Sequence, residues 1–502
     1  MKIYLASEKS CLYVALIIML AAISRLCVMF FSQAEAGDTA TYIKFAENII
    51  RGCGLSHSDP SSNECILTSG GYFPGYPAFI ASVWMIFGKS VLAVLISQLI
   101  CYLLALTWLL IAIFRLTKSN KIIFALGILL ALSPLQIGWF RFILTEPLAI
   151  ASSTWFLAEL IISVADKKLR IFHLASALSI SIFIRPDGIF MVLGVFLVSF
   201  HIYDFKKSIR QILVILLLTT VPVSGWIIRN YNIGQPLLSL SSGGQSPPGY
   251  FMWLSTWVVN EYERSEASSP VWLKNYSQIK IHNSKYMSDD ELIKTQLLIR
   301  ELSKLDGQKF PENIDEQFNN LALKKIQNRS SFMLMEIYSA RVIWLLLNPF
   351  SSWGLPLEIK DVDRGAVSKA IRSFELIKVK QLLSGHDAVI YGKIASFTYR
   401  LLLFLTFFLF MAFAFNRLKP LINSSIRAAS RILILACSLV MAARLTFFVI
   451  TWHLESRYFV VLVPWIECCC VLCFFYMGRS GFLLHENHNS ITYKQHNSSV
   501  KS

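Results

Sequence analysis

The sequence predicts an all-α polytopic membrane protein, and its overall composition is the first reason. Hydrophobic residues make up 55% of the 502 residues, charged residues only 16%, and the mean hydropathy is +0.54. An ordinary soluble domain is about a quarter charged. Several apolar runs also reach the roughly 20 residues that a helix needs to cross a bilayer. The chain is therefore long enough for a bundle of spanning helices and a sizeable part outside the membrane.

Ten apolar segments are candidate spans, and we expect a bundle of about 10–12 transmembrane helices. These segments are 11–31, 91–114, 122–140, 148–165, 171–184, 189–203, 212–228, 392–415, 432–450 and 458–477. The first could be the core of a signal peptide, because residues 34–36 resemble a cleavage site. However, it is longer than the roughly 7–15 residues of such a core, and it contains Arg25. We therefore expect an uncleaved first span.

The charge of the short connections predicts the orientation. Lys and Arg collect in four of them, at 115–121, 167–170, 206–210 and 417–431. Basic loops stay on the cytoplasmic side, which places the N-terminus inside and residues 231–391 outside. The same preference, together with attraction to anionic lipid, accounts for the net charge of +16. We see no nucleic-acid motif and expect no nucleic-acid partner.

These signals divide the chain into four parts. Residues 1–230 form an N-terminal transmembrane module whose first outer loop is 32–90. Residues 231–391 form a small external subdomain, with polar amphipathic helices at 289–305 and 311–327. Residues 392–478 are C-terminal transmembrane helices, and 479–502 are a cytoplasmic tail that we expect to be disordered. Segment 332–350 is apolar enough to span, but a span there would place the basic loop 417–431 outside, so we expect an interfacial helix.

Two shorter stretches carry local signals of their own. In "EAGDTATYIKFAENIIRGCGLS", residues 35–56, apolar residues recur at helical spacing, which predicts an amphipathic helix on the outer surface. The spans 171–184 and 189–203 are short and are separated by Arg-Pro-Asp-Gly at 185–188. Pro and Gly favour a turn there, and short interrupted spans often line a site.

The ten cysteines show no paired spacing typical of a metal site. Cys468, Cys469 and Cys470 lie in an apolar run and are expected to pack or face lipid. Cys53 and Cys65 both lie in the first outer loop. They form a disulfide if the loop faces an oxidising compartment, or they remain two free thiols, and both alternatives stay open.

The outward connections place acids and cations next to membrane ends. These are Asp38, Glu146, Arg185, Asp187, Arg229, Glu455 and Arg457, with Tyr458 beside them. Each has a structural alternative: Asp38 and Glu146 could cap helices, and the arginines could extend to the interface. Arg25 and Arg444 lie within apolar runs and need a partner there. That partner is either a phosphate or an acid such as Glu467.

The order of these motifs resembles the GT-C class of membrane glycosyltransferases, in the family 39-like branch of protein mannosyltransferases and lipid A aminoarabinose transferases. The resemblance rests on Arg25, then on "GDTATYIKFAENIIRGCGL", "FPGYPAF", "LTEPLAI", "RPDGIF" and "PVSGWIIRNY", and on "ESRYFVVLVPW" near the end. It covers residues 1–232 and 432–478, and it implies a GT-C-like bundle. It also implies a sugar donor on polyprenyl or dolichyl phosphate and transfer on the non-cytoplasmic side.

The resemblance assigns catalysis to an acid of the first loop, which corresponds to Asp38, and a second acid of some relatives corresponds to Glu146. Other members carry two acids in the first loop, whereas here Thr39 follows Asp38. Chemically, a carboxylate can take the proton of an acceptor hydroxyl, and arginines suit a phosphate. We therefore expect Arg185, Arg229, Arg341 and Arg457 to bind the donor phosphate. We expect Tyr42, Tyr76, Asp187, Glu455 and Tyr458 to line the substrate site.

The predicted function is sugar transfer to a lipid, glycan or protein acceptor. The alternatives are a flippase or transporter of lipid-linked oligosaccharide, and a polymerase or ligase of surface polysaccharide. We assign no metal site and no certain cofactor, although His453 and Glu455 are candidate ligands of a divalent cation. The expected location is the bacterial inner membrane, with the endoplasmic reticulum as the alternative.

Overall fold

A computed structural model describes residues 8–31, 38–56, 58–61, 65, 73–233, 247–281, 284–328, 330–348, 366–367, 370, 375–385, 387–416, 425–451 and 454–475. In this described part of the chain, all secondary-structure elements are helices apart from one isolated β-bridge residue. Seven of these helices are long and apolar enough to cross a membrane. The predicted all-α polytopic fold is confirmed. The predicted tail, 479–502, lies outside the described residues.

In chain order the described helices are α1 (Glu8–Phe31), α2 (Thr39–Ile50), α3 (Gly75–Phe87), α4 (Val91–Thr117), α5 (Asn120–Leu132), α6 (Thr145–Asp166), α7 (Ile171–Ile184), α8 (Val192–Ile202), α9 (Phe205–Asn232), α10 (Pro248–Leu254), α11 (Glu261–Trp272), α12 (Asp289–Leu302), α13 (Glu312–Gln327), α14 (Ser331–Leu347), α15 (Leu376–Leu382), α16 (Asp387–Asn416), α17 (Ser425–Ile450) and α18 (Arg457–Phe475). The helices of full spanning length are α1, α4, α6, α9, α16, α17 and α18.

Helix α6 lies at the centre of the bundle. It contacts α4, α7, α8 and α18. Of its apolar 18-residue stretch 89% is buried inside the protein, compared with 17% of the corresponding stretch of α9. From Ala149 to Ser163 its residues are apolar or small on every side except for Glu159, which is typical of a helix surrounded by others. The N-terminal end of this central helix carries Glu146, so that carboxylate is held at the middle of one end of the bundle.

One predicted span, 122–140, is shorter than expected. Helix α5 ends at Leu132, and the chain continues into a 3-10 turn at Ile137–Arg141. The residue before a proline avoids the helical conformation, and Ser133, which precedes Pro134, has a ψ of 111°. At 1.5 Å per residue, the 13 residues of α5 cover about 20 Å, less than the apolar core of a bilayer.

The predicted hairpin of two short helices is present. Helix α7 ends at Ile184, Arg185 is extended, and a 3-10 turn at Pro186–Met191 leads into α8. Gly188 is required at this turn, because a Cβ there would lie 2.8 Å from the backbone carbon of Ser181. The tight turn therefore places Arg185 and Asp187 side by side at the end of the bundle.

The first outer loop is fastened to the bundle. Helix α2 packs on α3, and α3 approaches α7 so closely that a Cβ on Gly75 would lie 2.6 Å from the carbonyl oxygen of Phe183. Cys53 and Cys65 form a disulfide, which decides between the two alternatives left open by the sequence. The loop that follows α2 is thus cross-linked.

The described part of the external segment contains a small aromatic core. Tyr250 on α10 packs against Trp253, Phe310 and Phe318, and its backbone N–H donates to Asp315 Oδ1 at 2.8 Å. The two helices predicted at 289–305 and 311–327 are observed as α12 and α13. Helix α14, which covers most of the predicted interfacial segment 332–350, turns by 112° from α13.

Candidate functional site

Asp38 occupies the N-cap position of α2, yet it does not act as a cap. Its backbone is helical and its side chain makes no capping hydrogen bond. The carboxylate, 34% exposed, instead accepts a hydrogen bond from Arg457, with 3.0 Å between Asp38 Oδ2 and Arg457 Nη2. The predicted apolar stripe is present, and its residues Tyr42, Phe45 and Ala46 are buried against the protein. Asp38 is therefore presented to another part of the chain, 419 residues away.

Arg457, at the start of α18, joins three carboxylates. Besides Asp38, its Nε contacts Glu455 closely and lies 3.7 Å from Glu146 Oε1. Glu146 is only 1% exposed, and its other oxygen lies 3.4 Å from the Thr145 hydroxyl. Because a single guanidinium can donate from several edges, Arg457 connects the first loop, the central helix α6 and the segment just before α18.

Arg185, at the hairpin turn, is the second connecting cation. Its Nη1 donates to Glu146 Oε1 at 3.1 Å and its Nε to Asp187 Oδ1 at 3.2 Å. Its guanidinium lies over the Tyr458 ring, 4.4 Å from the centroid. Burial alone would lower the pKa of Arg185, but the charges of Asp187 and Glu146 outweigh it and raise that pKa above its ordinary value. Arg185 is therefore a fixed cation.

Arg444, on α17, completes this group. It is fully buried, and its Nη2 donates to Asp187 and, at 2.7 Å, to the carbonyl oxygen of Tyr458. Of the two alternatives left open by the sequence, a phosphate or an acid such as Glu467, the described structure gives Arg444 an acid, and that acid is Asp187. Within the described residues, its Nε and Nη1 have no hydrogen-bond partner.

The second intramembrane arginine, Arg25, lies in a separate polar chain. It donates to Tyr102 at 2.9 Å and to the carbonyl oxygens of Leu130 and Ala131 at 3.0 and 2.8 Å. Its contact with Glu467 is indirect, through Tyr102 and Gln136, which donates to Glu467 at 2.8 Å. Arg25 therefore closes the end of α5 where Pro134 stops the helix.

Two predicted phosphate ligands lie outside the group. Arg229 stacks on Trp226 and donates to the carbonyl oxygen of Leu55 at 3.1 Å. Arg341 donates from three nitrogens to the carbonyl oxygens of Val258, Val449 and Ser255, at 2.9, 2.7 and 2.6 Å. Arg229 also donates to Asn230 Oδ1 at 2.9 Å. In this structure both arginines therefore contact neighbouring backbone or amide oxygens and not the carboxylates of the group.

Two of the tyrosines predicted to line the substrate site, Tyr76 and Tyr458, lie in different surroundings. Tyr76 is fully buried below α2, where its ring meets the edge of Tyr42 at 4.9 Å and its hydroxyl donates to Gln98. It supports α2 and does not line an open site. Tyr458 is partly exposed and lies between Arg185 and the stacked ring of Phe448, which places it among the charged side chains.

One member of the site has no signal in the sequence. Arg264, on α11 of the external subdomain, contacts Glu455 closely through its Nη2. An arginine on a polar helix normally faces water, so the pattern alone gave no reason to select it. The contact brings the external subdomain onto the end of the bundle.

Together these residues form one ion-pair network. Among the described residues it contains four carboxylates and four guanidiniums, namely Asp38, Glu146, Asp187 and Glu455, and Arg185, Arg264, Arg444 and Arg457. Their formal charges cancel. The same described residues contain no group of three or more His, Cys, Asp or Glu side chains placed to hold a metal ion, and His453 lies outside them. The network can supply a carboxylate near water and several fixed cations.

Comparisons with known proteins give one weak likeness. No protein-family model matches the chain, and no curated protein matches it. Two solved structures are similar, both of ArnT from Cupriavidus metallidurans. The structure bound to undecaprenyl phosphate is 12% identical in sequence, and its TM-score is 0.38. The alignment covers 91% of this chain and 77% of the ArnT chain. The apo structure is 11% identical and covers 90% and 78%, also with a TM-score of 0.38.

Proposed function

We propose that this chain is a membrane glycosyltransferase of the GT-C class. It would move a sugar from a polyprenyl or dolichyl phosphate to an acceptor hydroxyl on the non-cytoplasmic side. The observation that carries the proposal is the meeting of a partly exposed carboxylate, Asp38, with the cations Arg457 and Arg185 at one end of a helix bundle. The sequence motifs around these residues, which resemble that class, support it.

The reaction needs one base and a place for one anion. The acceptor oxygen attacks the anomeric carbon of the sugar, the bond from that carbon to the phosphate oxygen breaks, and the phosphate keeps the electron pair. The proton of the acceptor hydroxyl passes to a carboxylate, the role we propose for Asp38. The phosphate charge is stabilised by fixed guanidiniums, the role we propose for Arg457, with Arg185 next to it.

Glu146 and Asp187 serve this site differently from Asp38. Both are almost fully buried, and both accept from arginines that they hold in place. A carboxylate that reaches neither water nor the exposed side of the site is badly placed to meet an acceptor. We therefore assign them positioning roles, although the sequence resemblance suggested a catalytic role for Glu146.

The surroundings suit a lipid donor. Helix α2 is amphipathic, and Asp38 lies at its N-terminal end. The reacting centre would therefore lie where the lipid phosphate meets water. The disulfide between Cys53 and Cys65 favours an oxidising compartment for this loop. That supports a non-cytoplasmic site, in the bacterial inner membrane or, alternatively, in the endoplasmic reticulum.

The test compares two carboxylates of the same loop. Asp38→Asn keeps the shape of the side chain but removes the base, and we expect transfer to fall about 100-fold or more. Asp59→Asn, on the exposed part of the loop, should leave transfer unchanged. The readout is mass analysis of surface glycans and lipids in cells that lack the protein and receive each variant at matched membrane amounts. Full restoration of the missing product by Asp38→Asn would refute the proposed role.

A further inference from the structure

Glu455, like Asp187, lies between two guanidiniums, but one of those that hold Glu455 comes from the external subdomain. Its two oxygens each meet a different guanidinium, Oε1 meeting Arg264 of the external subdomain and Oε2 meeting Arg457 of the bundle. An anionic group held between two guanidinium forks is also the arrangement that these side chains make with a phosphate. Glu455 therefore lies where an incoming phosphate would find both cations.

Glu455 is less tightly built into the bundle than the other two buried carboxylates, Glu146 and Asp187. Glu146 and Asp187 are fixed in helix ends and turns inside the bundle, whereas Glu455 lies in the non-helical segment that precedes α18. The two arginines that hold it are partly open to water, with 22% of the Arg457 side chain and 19% of the Arg264 side chain exposed. A phosphate could therefore replace Glu455 while the ion pairs made by Glu146 and Asp187 stay in place.

Arg264 has a donor to spare. Its Nε is buried and, within the described part of the chain, has no hydrogen-bond partner. Glu455 has two oxygens and each already meets one arginine, whereas the diester phosphate of the donor offers two non-bridging oxygens and two bridging oxygens. Unpartnered buried donors are uncommon in folded proteins, so this one points to an acceptor larger than the carboxylate that is there now.

The position of Arg264 is set by the chain around it. Asn260 caps α11 by accepting from the Glu263 backbone N–H at 2.9 Å. Just before this cap, Arg341 fastens the carbonyl oxygens of Ser255 and Val258 to that of Val449 on α17. Arg264 is therefore held at the bundle end before any ligand arrives, and preorganised groups lose less freedom on binding.

We propose that Arg264 and Arg457 together bind the phosphate of the lipid donor, and that Glu455 occupies their binding place until the donor displaces it. This rests on the proposed function for the nature of the ligand. It adds a phosphate ligand from the external subdomain, so that the site is complete only when α11 lies against the bundle. It also makes Glu455 a residue that lowers affinity for the donor.

The experiment measures binding, not turnover. The full-length protein in nanodiscs is titrated with undecaprenyl phosphate and with undecaprenol, which has the same tail and no phosphate. Arg264→Ala should weaken binding of undecaprenyl phosphate about 10-fold or more and leave undecaprenol unchanged. Arg300→Ala, which removes an exposed arginine of the same subdomain, is the matched control and should change neither.

A second variant makes the outcome independent of folding. Glu455→Gln keeps the volume of the side chain but weakens its hold on the two arginines, so undecaprenyl phosphate should bind about 3-fold to 10-fold more tightly. Glu316→Gln, on an exposed face of α13, is its control. A misfolded variant cannot bind more tightly, so this gain is specific to displacement.

The outcomes separate the two proposals. If the wild type does not prefer undecaprenyl phosphate to undecaprenol, the proposed function fails with its donor. If the wild type does prefer it, but Arg264→Ala binds like Arg300→Ala, the phosphate role of Arg264 is refuted. If Glu455→Gln binds no more tightly than the wild type, Glu455 does not hold the place of the phosphate.

Discussion

Removing the charge of Asp187 tests whether this carboxylate neutralises the buried arginines Arg185 and Arg444. Asp187 accepts from Arg185 at 3.2 Å and from Arg444, which is fully buried. Two unit charges at 3.2 Å attract by about 5 kcal/mol at an effective dielectric constant of 20. Removing one partner of a buried pair costs about 3–5 kcal/mol. We expect Asp187→Asn to lower the free energy of unfolding by an amount in that range.

The double variant Asp187→Asn with Arg444→Met sharpens the test. It removes both members of the buried pair, and replacing such a pair with uncharged side chains is often close to neutral. We therefore expect the double variant to recover at least about 2 kcal/mol of the loss caused by Asp187→Asn alone. Recovery on adding a second mutation is the signature of a charge that had lost its partner.

The assay is denaturant unfolding of the detergent-solubilised protein, followed by tryptophan fluorescence. Asp290→Asn, on the exposed first turn of α12, serves as the surface control and should change stability by less than about 0.5 kcal/mol. If the double variant is as unstable as the single one, or its losses simply add, then Asp187 and Arg444 do not balance each other. The account of the buried network would then be wrong.

Two further predictions concern the first outer loop and its support. Cys53→Ser opens a cross-link with a sequence separation of 12 residues and should destabilise the loop by about 3 kcal/mol; limited proteolysis without reductant should then cut it sooner, and an unchanged rate would contradict the disulfide. Gly75→Ala should cost about 1–3 kcal/mol, because the added methyl group would meet the backbone of α7. Gly225→Ala, where nothing lies within 4 Å, should instead stabilise α9 by up to about 1 kcal/mol. Equal shifts of the two unfolding midpoints would rule out the close approach of α3 to α7.

Local patterns predicted the helices well because each depends on neighbouring residues. The apolar stripe of α2 and the Pro-Gly break between α7 and α8 are both written within a few residues of sequence. The end of α5 was predicted wrongly, because the apolar run 122–140 indicates one span although Pro134 already marks the end of the helix. The charge of the loops also placed Asp38 and Arg457 on one face of the membrane, although the chain separates them by 419 residues.

Pairings between distant elements could not be predicted in the same way. Arg341 and Arg457 both look like outward arginines near a membrane end, yet one donates to backbone oxygens and the other to carboxylates. Which acceptor an arginine meets depends on packing that a single sequence does not display. Arg264 shows the limit most clearly, because only the folded subdomain brings its polar helix to Glu455.

The exact cancellation of charge in the ion-pair network has a consequence for turnover under the two proposals. With Glu455 displaced, three carboxylates would face four guanidiniums, an excess of one positive charge. A sugar linked to a lipid phosphate is a diester with one negative charge, which matches that excess. After transfer, the lipid carries a monoester whose charge approaches −2 at neutral pH, like other phosphate monoesters with a second pKa near 6. Directly after transfer Asp38 holds the acceptor's proton, so two carboxylates would face four guanidiniums and the monoester would still be matched. Once Asp38 releases that proton to water, the spent carrier would exceed the excess positive charge by nearly one, and the return of Glu455 would help to expel it and reset the enzyme.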